Sequence, residues 1–200
     1  MNRTSEASAP PLPAFVRPPE LLALPGGVSL RRRTVADVVP FNAAVVRNLD
    51  HLRPFMPWAL SAPSLERTRE MTELGWKIWE DGTDFMYVAG LDDAPGSVVG
   101  AFGLHGRIGP AALEIGYWVD AAFTGRGIAT NASAALTAAA LELPGIHRVE
   151  IHCDEANPAS AAVPRKLGYR LDRIQDAEIS APAETGRKLI WIKDAPADAV

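Results

Sequence analysis

Cysteine, surplus positive charge and long apolar runs are all scarce in this sequence, and each scarcity excludes something. Cys153 is the one cysteine in 200 residues, so neither an intrachain disulfide nor a cysteine-built metal site can form. A reducing cytoplasm is the expected compartment. Lys and Arg number 20 against 24 Asp and Glu, for a net charge of −4. That is the wrong sign for a chain whose main task is gripping nucleic acid. The longest weakly polar stretch, Ala132 to Leu143, carries Ser133, Thr137 and Glu142 and is too short to span a bilayer. The first residues lack a basic start followed by an apolar run, so no secretory signal is expected. No membrane partner, nucleic-acid partner or metal is therefore expected.

What is present is enough for one core. Hydrophobic residues make up 48% of the chain and charged residues 22%, which fits a single globular domain. Residues 1–25, with Pro10, Pro11, Pro13, Pro18 and Pro19, read as an extended or disordered arm that could pack through Phe15, Leu21 and Leu22. The domain is expected over 26–194, with a tail over 195–200.

Within the domain the pattern alternates. Strands are expected at Val28 to Arg33, Phe85 to Leu91, Ser97 to His105, Ala112 to Val119, Arg148 to Asp154, Tyr169 to Gln175 and Lys188 to Lys193. Helices are expected after Thr34, over Ser64 to Glu80, over Asn131 to Leu143 and over Pro158 to Leu167. In the second, Leu65, Met71, Leu74 and Ile78 are the candidate core positions. The prolines of His51 to Ala59 forbid a regular helix there. Arg31, Arg32 and Arg33 read as a solvated strand edge. Hairpins followed by strand–helix–strand–helix–strand imply a mixed α/β (α+β) sheet with helices on its faces.

The sharpest local feature is Thr124-Gly125-Arg126-Gly127-Ile128-Ala129-Thr130, between a strand and an alanine-rich helix. A helix N-terminus offers unpaired N–H groups and a positive dipole end. Glycines let an anion approach the backbone. Two readings stand: a diphosphate cradle, or a tight turn without a ligand. The alanines of Ala132 to Ala140 read as close helix–sheet packing.

This turn and the later Asn157-Pro158-Ala159-Ser160 … Lys166-Leu167-Gly168-Tyr169 together resemble the two halves of the acyl-coenzyme A site of GNAT superfamily N-acetyltransferases, in their RimJ/RimL-like branch. Glu114-Ile115-Gly116-Tyr117-Trp118-Val119 resembles that branch's strand before the loop, and His51 to Ala59 its acceptor-side loop. The likeness covers Val28 to Lys193. It departs from the family at Thr124, where Gln or Arg is usual, and at Pro164, where many members carry a tyrosine that protonates the leaving thiolate.

The resemblance implies the GNAT acyl-CoA N-acyltransferase fold, with splayed central strands carrying Trp118 and Val119 on one side and Ile151 and Cys153 on the other. It implies acetyl-CoA as acyl donor, its pyrophosphate on the N–H groups of Arg126 to Thr130, and Asn157 on the pantetheine arm. Asn157 before Pro158 is equally an N-cap. Glu114 is the candidate base, its pKa raised amid Trp118 and Trp58; its alternative is a salt bridge to Arg107. Ser160 is the candidate thiol contact, or a first-turn cap. A backbone N–H of the Trp118–Val119 strand end is the candidate oxyanion donor. His51, Arg53, Trp58 and Tyr117 are the candidate substrate-binding residues. His105 could stand near the same face, and Cys153 reads as a buried, inert thiol. The implied acceptor is a small-molecule amine or a protein N-terminus, bound by a monomer or homodimer. The rivals are a non-catalytic acyl-CoA-binding module and a nucleotide-binding protein.

Overall fold

The computed structural model describes residues 16–196. In chain order the elements are β1 (Leu21–Leu24), β2 (Val28–Arg32), α1 (Val38–Arg47), α2 (Leu49–Leu52), α3 (Leu65–Asp81), β3 (Asp84–Leu91), β4 (Gly100–His105), β5 (Ala112–Val119), α4 (Ile128–Leu141), β6 (Arg148–Asp154), α5 (Pro158–Lys166), β7 (Arg170–Asp176) and β8 (Arg187–Asp194). The strands form one sheet in the order β1-β2-β3-β4-β5-β6-β8-β7. Neighbours run antiparallel except β5 and β6, which are parallel and joined by the α4 crossover. The mixed sheet flanked by helices is the one expected.

The two faces of the sheet bury different helices. On one face Leu104, Ile115 and Ile151 meet Ala132, Leu136 and Ala140 of α4. The alanines carry almost no side chain, so the helix backbone lies close to the sheet. On the other face Val88 and Trp118 pack against Ala44 and Val45 of α1. Strand β7, RLDRIQD, is exposed throughout. Its charges make that outer edge a poor template for pairing with another chain.

Three expectations change. Leu21–Leu24, assigned to the arm, pairs with β2 as β1; Phe15 lies outside the described residues. Because β1 covers β2, the arginine run is not a solvated edge. Arg32 is only 6% exposed, paired with Glu20 at 2.7 Å and Glu80 at 2.6 Å, its guanidinium 3.4 Å over the Trp76 ring. Arg31 pairs with Asp37.

In α3 the period is helical but its phase differs. Leu65, Met71 and Leu74 are 50%, 40% and 48% exposed and Thr68, Thr72, Gly75 and Trp79 are buried. Thr68 and Thr72 donate to carbonyls one turn back, at 3.0 and 2.7 Å. Their hydroxyls thus enter the interior already partnered. Gly75 lets α3 settle against Met86.

The feature that makes a site is a split in the sheet. Strands β5 and β6 pair only where Ala112, Leu113 and Glu114 meet Arg148, Val149 and Glu150. Beyond that point β5 stays paired with β4 and β6 with β8. A gap opens between them, as expected for splayed central strands.

Candidate active site

One wall of the gap ends in the glycine turn. Gly125 and Gly127 hold φ of 73° and 79°, a conformation that strains residues with a Cβ. Gly127 is the N-cap of α4, which starts three residues earlier than expected. The first helical bond runs from Asn131 N–H to Gly127 O, at 2.9 Å. Helix geometry therefore leaves the N–H groups of Ile128, Ala129 and Thr130 without intrahelical partners, and no side chain caps them. The buried Ile128 side chain anchors this corner in the core. Thr124 donates to Ala121 O at 2.9 Å. Arg126 donates to Ala122 O at 3.1 Å and lies over the Phe123 ring. Both side chains fold back and brace the turn, leaving backbone amides at its mouth.

The floor of the gap is β5 itself. Successive residues of a strand aim their peptide groups to opposite sides. Asp120 N–H bonds Val99 O at 2.9 Å, and a Cβ on Gly100 would stand 2.6 Å from Trp118 O. Trp118 therefore directs its peptide groups at β4, and Tyr117 and Val119 direct theirs into the gap. At the Trp118–Val119 end it is therefore the odd-numbered residues whose N–H groups face the gap. The Trp118 side chain is buried edge-on to Phe41, 5.9 Å between centroids, and Val119 is buried in the core.

Across the gap, α5 presents Asn157 and Ser160. Asn157 Oδ1 accepts Ser160 N–H at 3.0 Å, so its capping role is real. Pro164 sits inside α5 and has no N–H to give the carbonyl four residues back. That carbonyl belongs to Ser160. The Tyr117 hydroxyl lies 3.2 Å from both Ser160 O and Ser160 Oγ. The proline thus leaves an acceptor that the Tyr117 hydroxyl occupies. Burial pushes the Tyr117 phenol up, and does the same to the neighbouring Cys153 thiol, as expected of an inert cysteine.

The gap opens on the α1/α3 face into a cleft of about 870 Å³. The chain between β7 and β8 closes part of its rim, with Ala183 N–H bonded to Pro54 O at 2.9 Å. Glu114, Gly116 and Trp118 line the cleft together, as do Met71, Trp58 and Ser160. Trp58 is half exposed at the mouth. His51 is exposed, and Arg53 pairs with Asp50 at 3.0 Å. Neither of these two reaches the cleft lining.

Glu114 is buried, and its two oxygens accept from Arg107 Nε and Nη2 at 2.8 and 2.7 Å. The expected upward shift does not occur. Burial alone would raise the carboxyl, but the guanidinium hydrogen bonds and the nearby His152 and His105 hold it below the usual range. Glu114 is a paired carboxylate.

His105, expected near this face, lies in the cleft lining, and Asp84, Glu150 and His152, which the sequence did not single out for it, complete the cluster. His105 Nδ1 lies 2.7 Å from Asp84 Oδ1. His152 Nε2 lies 2.5 Å from Glu150 Oε2, and its Nδ1 3.7 Å from Glu114. Asp84, His105, Glu114 and Glu150 are register partners across β3, β4, β5 and β6. Strand register was the missing signal. Among the described residues no cluster of His, Cys, Asp and Glu could hold a metal ion, and no helix is long and apolar enough to cross a membrane.

Known proteins are similar to this chain in sequence and in fold. The ribosomal-protein-serine acetyltransferase of Escherichia coli K12 is 28% identical over 148 residues, 72% of this chain and 80% of its own length. A RimL ribosomal L7/L12 alpha-N-protein acetyltransferase solved with coenzyme A has a TM-score of 0.81 at 24% identity, covering 90% of this chain and all of its own. Mycobacterium smegmatis RimJ, solved with a CoA-disulfide, has a TM-score of 0.76 at 24% identity, over 90% of this chain and 89% of its own. The family description "acetyltransferase (GNAT) domain" matches residues 28–170, and with this split sheet, glycine corner and crossover in place the chain belongs to that family.

Proposed function

We propose that this protein acetylates a primary amine, with acetyl-CoA as donor, by direct attack in a ternary complex and without an acyl-enzyme. The observation that carries this reading is the open edge of β5 lying beside the uncapped N-terminus of α4. Free amides at a helix end suit a diphosphate, and an unpaired strand edge suits an extended amide-bearing arm. Asn157, Thr130 and the Thr124–Ala129 turn border that path.

Acetyl-CoA supplies the thioester carbon that receives the amine. The Ser160 and Tyr117 hydroxyls, 3.2 Å apart, offer hydrogen bonds where the sulfur leaves. The Tyr117 and Val119 peptide groups offer donors to a developing oxyanion. Glu114, held ionised, is the charge partner of an incoming ammonium, with Trp58 at the mouth against the acceptor's apolar part. The names of the relatives favour a protein N-terminus as acceptor over a small-molecule amine, and the reaction is assigned to the cytoplasm.

Thiol release from acetyl-CoA, followed with N-terminal peptides and small amines, tests this. Turnover with at least one amine is expected. Heat of CoA binding without turnover on any acceptor would favour the non-catalytic module instead. Absence of any CoA binding would end both readings.

A further inference from the structure

Glu114, Asp154, Glu184, His105 and His152 line the cleft as side chains able to accept a proton, and they are not equally free. Asp154 and Glu184 accept from Thr185, Gly186, Ser180 and Ala181 in the chain between β7 and β8. Both oxygens of Glu114 are engaged by Arg107. Both ring nitrogens of His152 face carboxylates, Nε2 toward Glu150 and Nδ1 toward Glu114. His105 differs. Its Nδ1 is bound to Asp84, while its Nε2 has no protein partner among the described residues and is not buried out of reach.

The backbone beneath this ring is specialised. Gly103 on β4 and Gly116 on β5 are register partners. A Cβ on Gly103 would stand 2.6 Å from His105 Nε2, and one on Gly116 would stand 3.2 Å from it. The imidazole thus lies flat across two glycines, in the space side chains would fill, with Nε2 over the floor of the cleft. The Asp84 carboxylate can only accept, so Nδ1 donates to it and Nε2 is the nitrogen left for a substrate. An acid that fixes the tautomer and a nitrogen open to the substrate make the geometry of a general base.

We propose that His105 is the catalytic base of this acetyltransferase and Asp84 its positioning residue. The inference rests on the proposed amine acetylation. An ammonium acceptor gives one proton to His105 Nε2 and becomes the nucleophilic amine. Its nitrogen bonds to the acetyl carbon as the carbon–sulfur bond breaks, the electron pair leaving on sulfur. As the amide forms the nitrogen passes its second proton to the Ser160 hydroxyl oxygen, while that hydroxyl passes its own proton to the leaving sulfur. The first proton leaves His105 for solvent at the mouth of the cleft.

The test measures kcat and KM for the amine alongside CoA affinity by calorimetry, in wild type, His105→Ala, His105→Gln, Asp84→Asn and Gly103→Ala. Base removal is expected to lower kcat by roughly 100-fold or more, with CoA affinity unchanged. Added imidazole is expected to restore a measurable part of the rate to His105→Ala, a response that lost packing would not give. Asp84→Asn should lower kcat with little change in KM, and Asp84→Glu should recover part of it. Gly103→Ala, which displaces the ring without removing it, should also lower kcat. His105 variants that keep kcat within about threefold of wild type, or a loss that imidazole does not restore, would overturn the assignment while leaving the acetyltransferase reading intact. A wild-type protein that binds CoA but acetylates no amine would overturn both.

Discussion

The glycine corner beside the gap and the cleft that the gap opens into are built from different materials. The corner proposed for the coenzyme is backbone: free amides of α4, the turn set by Gly125 and Gly127, and the open edge of β5. Its charged side chain, Arg126, is folded back on the turn. The cleft proposed for the acceptor is side chains: His105, Glu114 and His152 line it, backed by Asp84 and Glu150, from four strands in register. A backbone site accepts the same ligand whatever side chains surround it. A side-chain site can be rewritten residue by residue, which is where selectivity for the acceptor belongs.

Substitutions should therefore separate the two. Gly127→Val imposes a β-branched residue at φ 79°, a strain of about 1–3 kcal/mol. Calorimetry should record CoA affinity falling by roughly 10–100-fold, the largest binding effect expected. If affinity survives, coenzyme binding does not depend on that backbone. Glu114→Gln acts on the cleft. CoA affinity should hold while kcat/KM for the amine drops by roughly tenfold. Because Arg107 is 60% exposed, the stability cost should stay near 1 kcal/mol.

Pro164→Ala tests the join between the two. It gives α5 an N–H that competes with Tyr117 for Ser160 O. Turnover should fall a few-fold without loss of thermal stability, since a proline leaves a helix interior. A fall in the melting midpoint instead would mean the proline is a packing element. Acid addresses the paired carboxylates. Glu114, Asp37, Asp120 and Asp154 all sit below their usual values. A lowered native pKa contributes stability that is complete above the unfolded value and is lost as pH falls through the native one. Urea midpoints should hold near neutrality and drop below about pH 4. The smallest effect belongs to His51→Ala and Arg53→Ala. Both lie outside the cleft lining and should leave KM within about twofold.

The same contrast governs what could be read in advance. The glycine turn, its anion chemistry and the α4 alanines were visible because each is local: adjacent residues dictate a positive φ or a thin helix face. Ser160 and Tyr117 were named from a motif, but their hydroxyl contact depends on Pro164, and only the folded α5 reveals that. Glu114 lines the cleft with Gly116 and Trp118, as residues two apart on one strand do. Of its two readings the salt bridge to Arg107 is the one the structure shows, and those hydrogen bonds outweigh the burial that the tryptophans suggest. The α3 stripe was misjudged because a helical period has no absolute phase; threonines that satisfy their own hydroxyls can take the inner side.

By itself the sequence determined the alternation of strands and helices, the glycine corner and the family resemblance, all of which follow from spacing along the chain. Tertiary structure alone decided which carboxylate is paired and which imidazole nitrogen is free. Those facts depend on strand register and on the angle at which β5 leaves β6, where residues distant in sequence meet and the local dielectric is set.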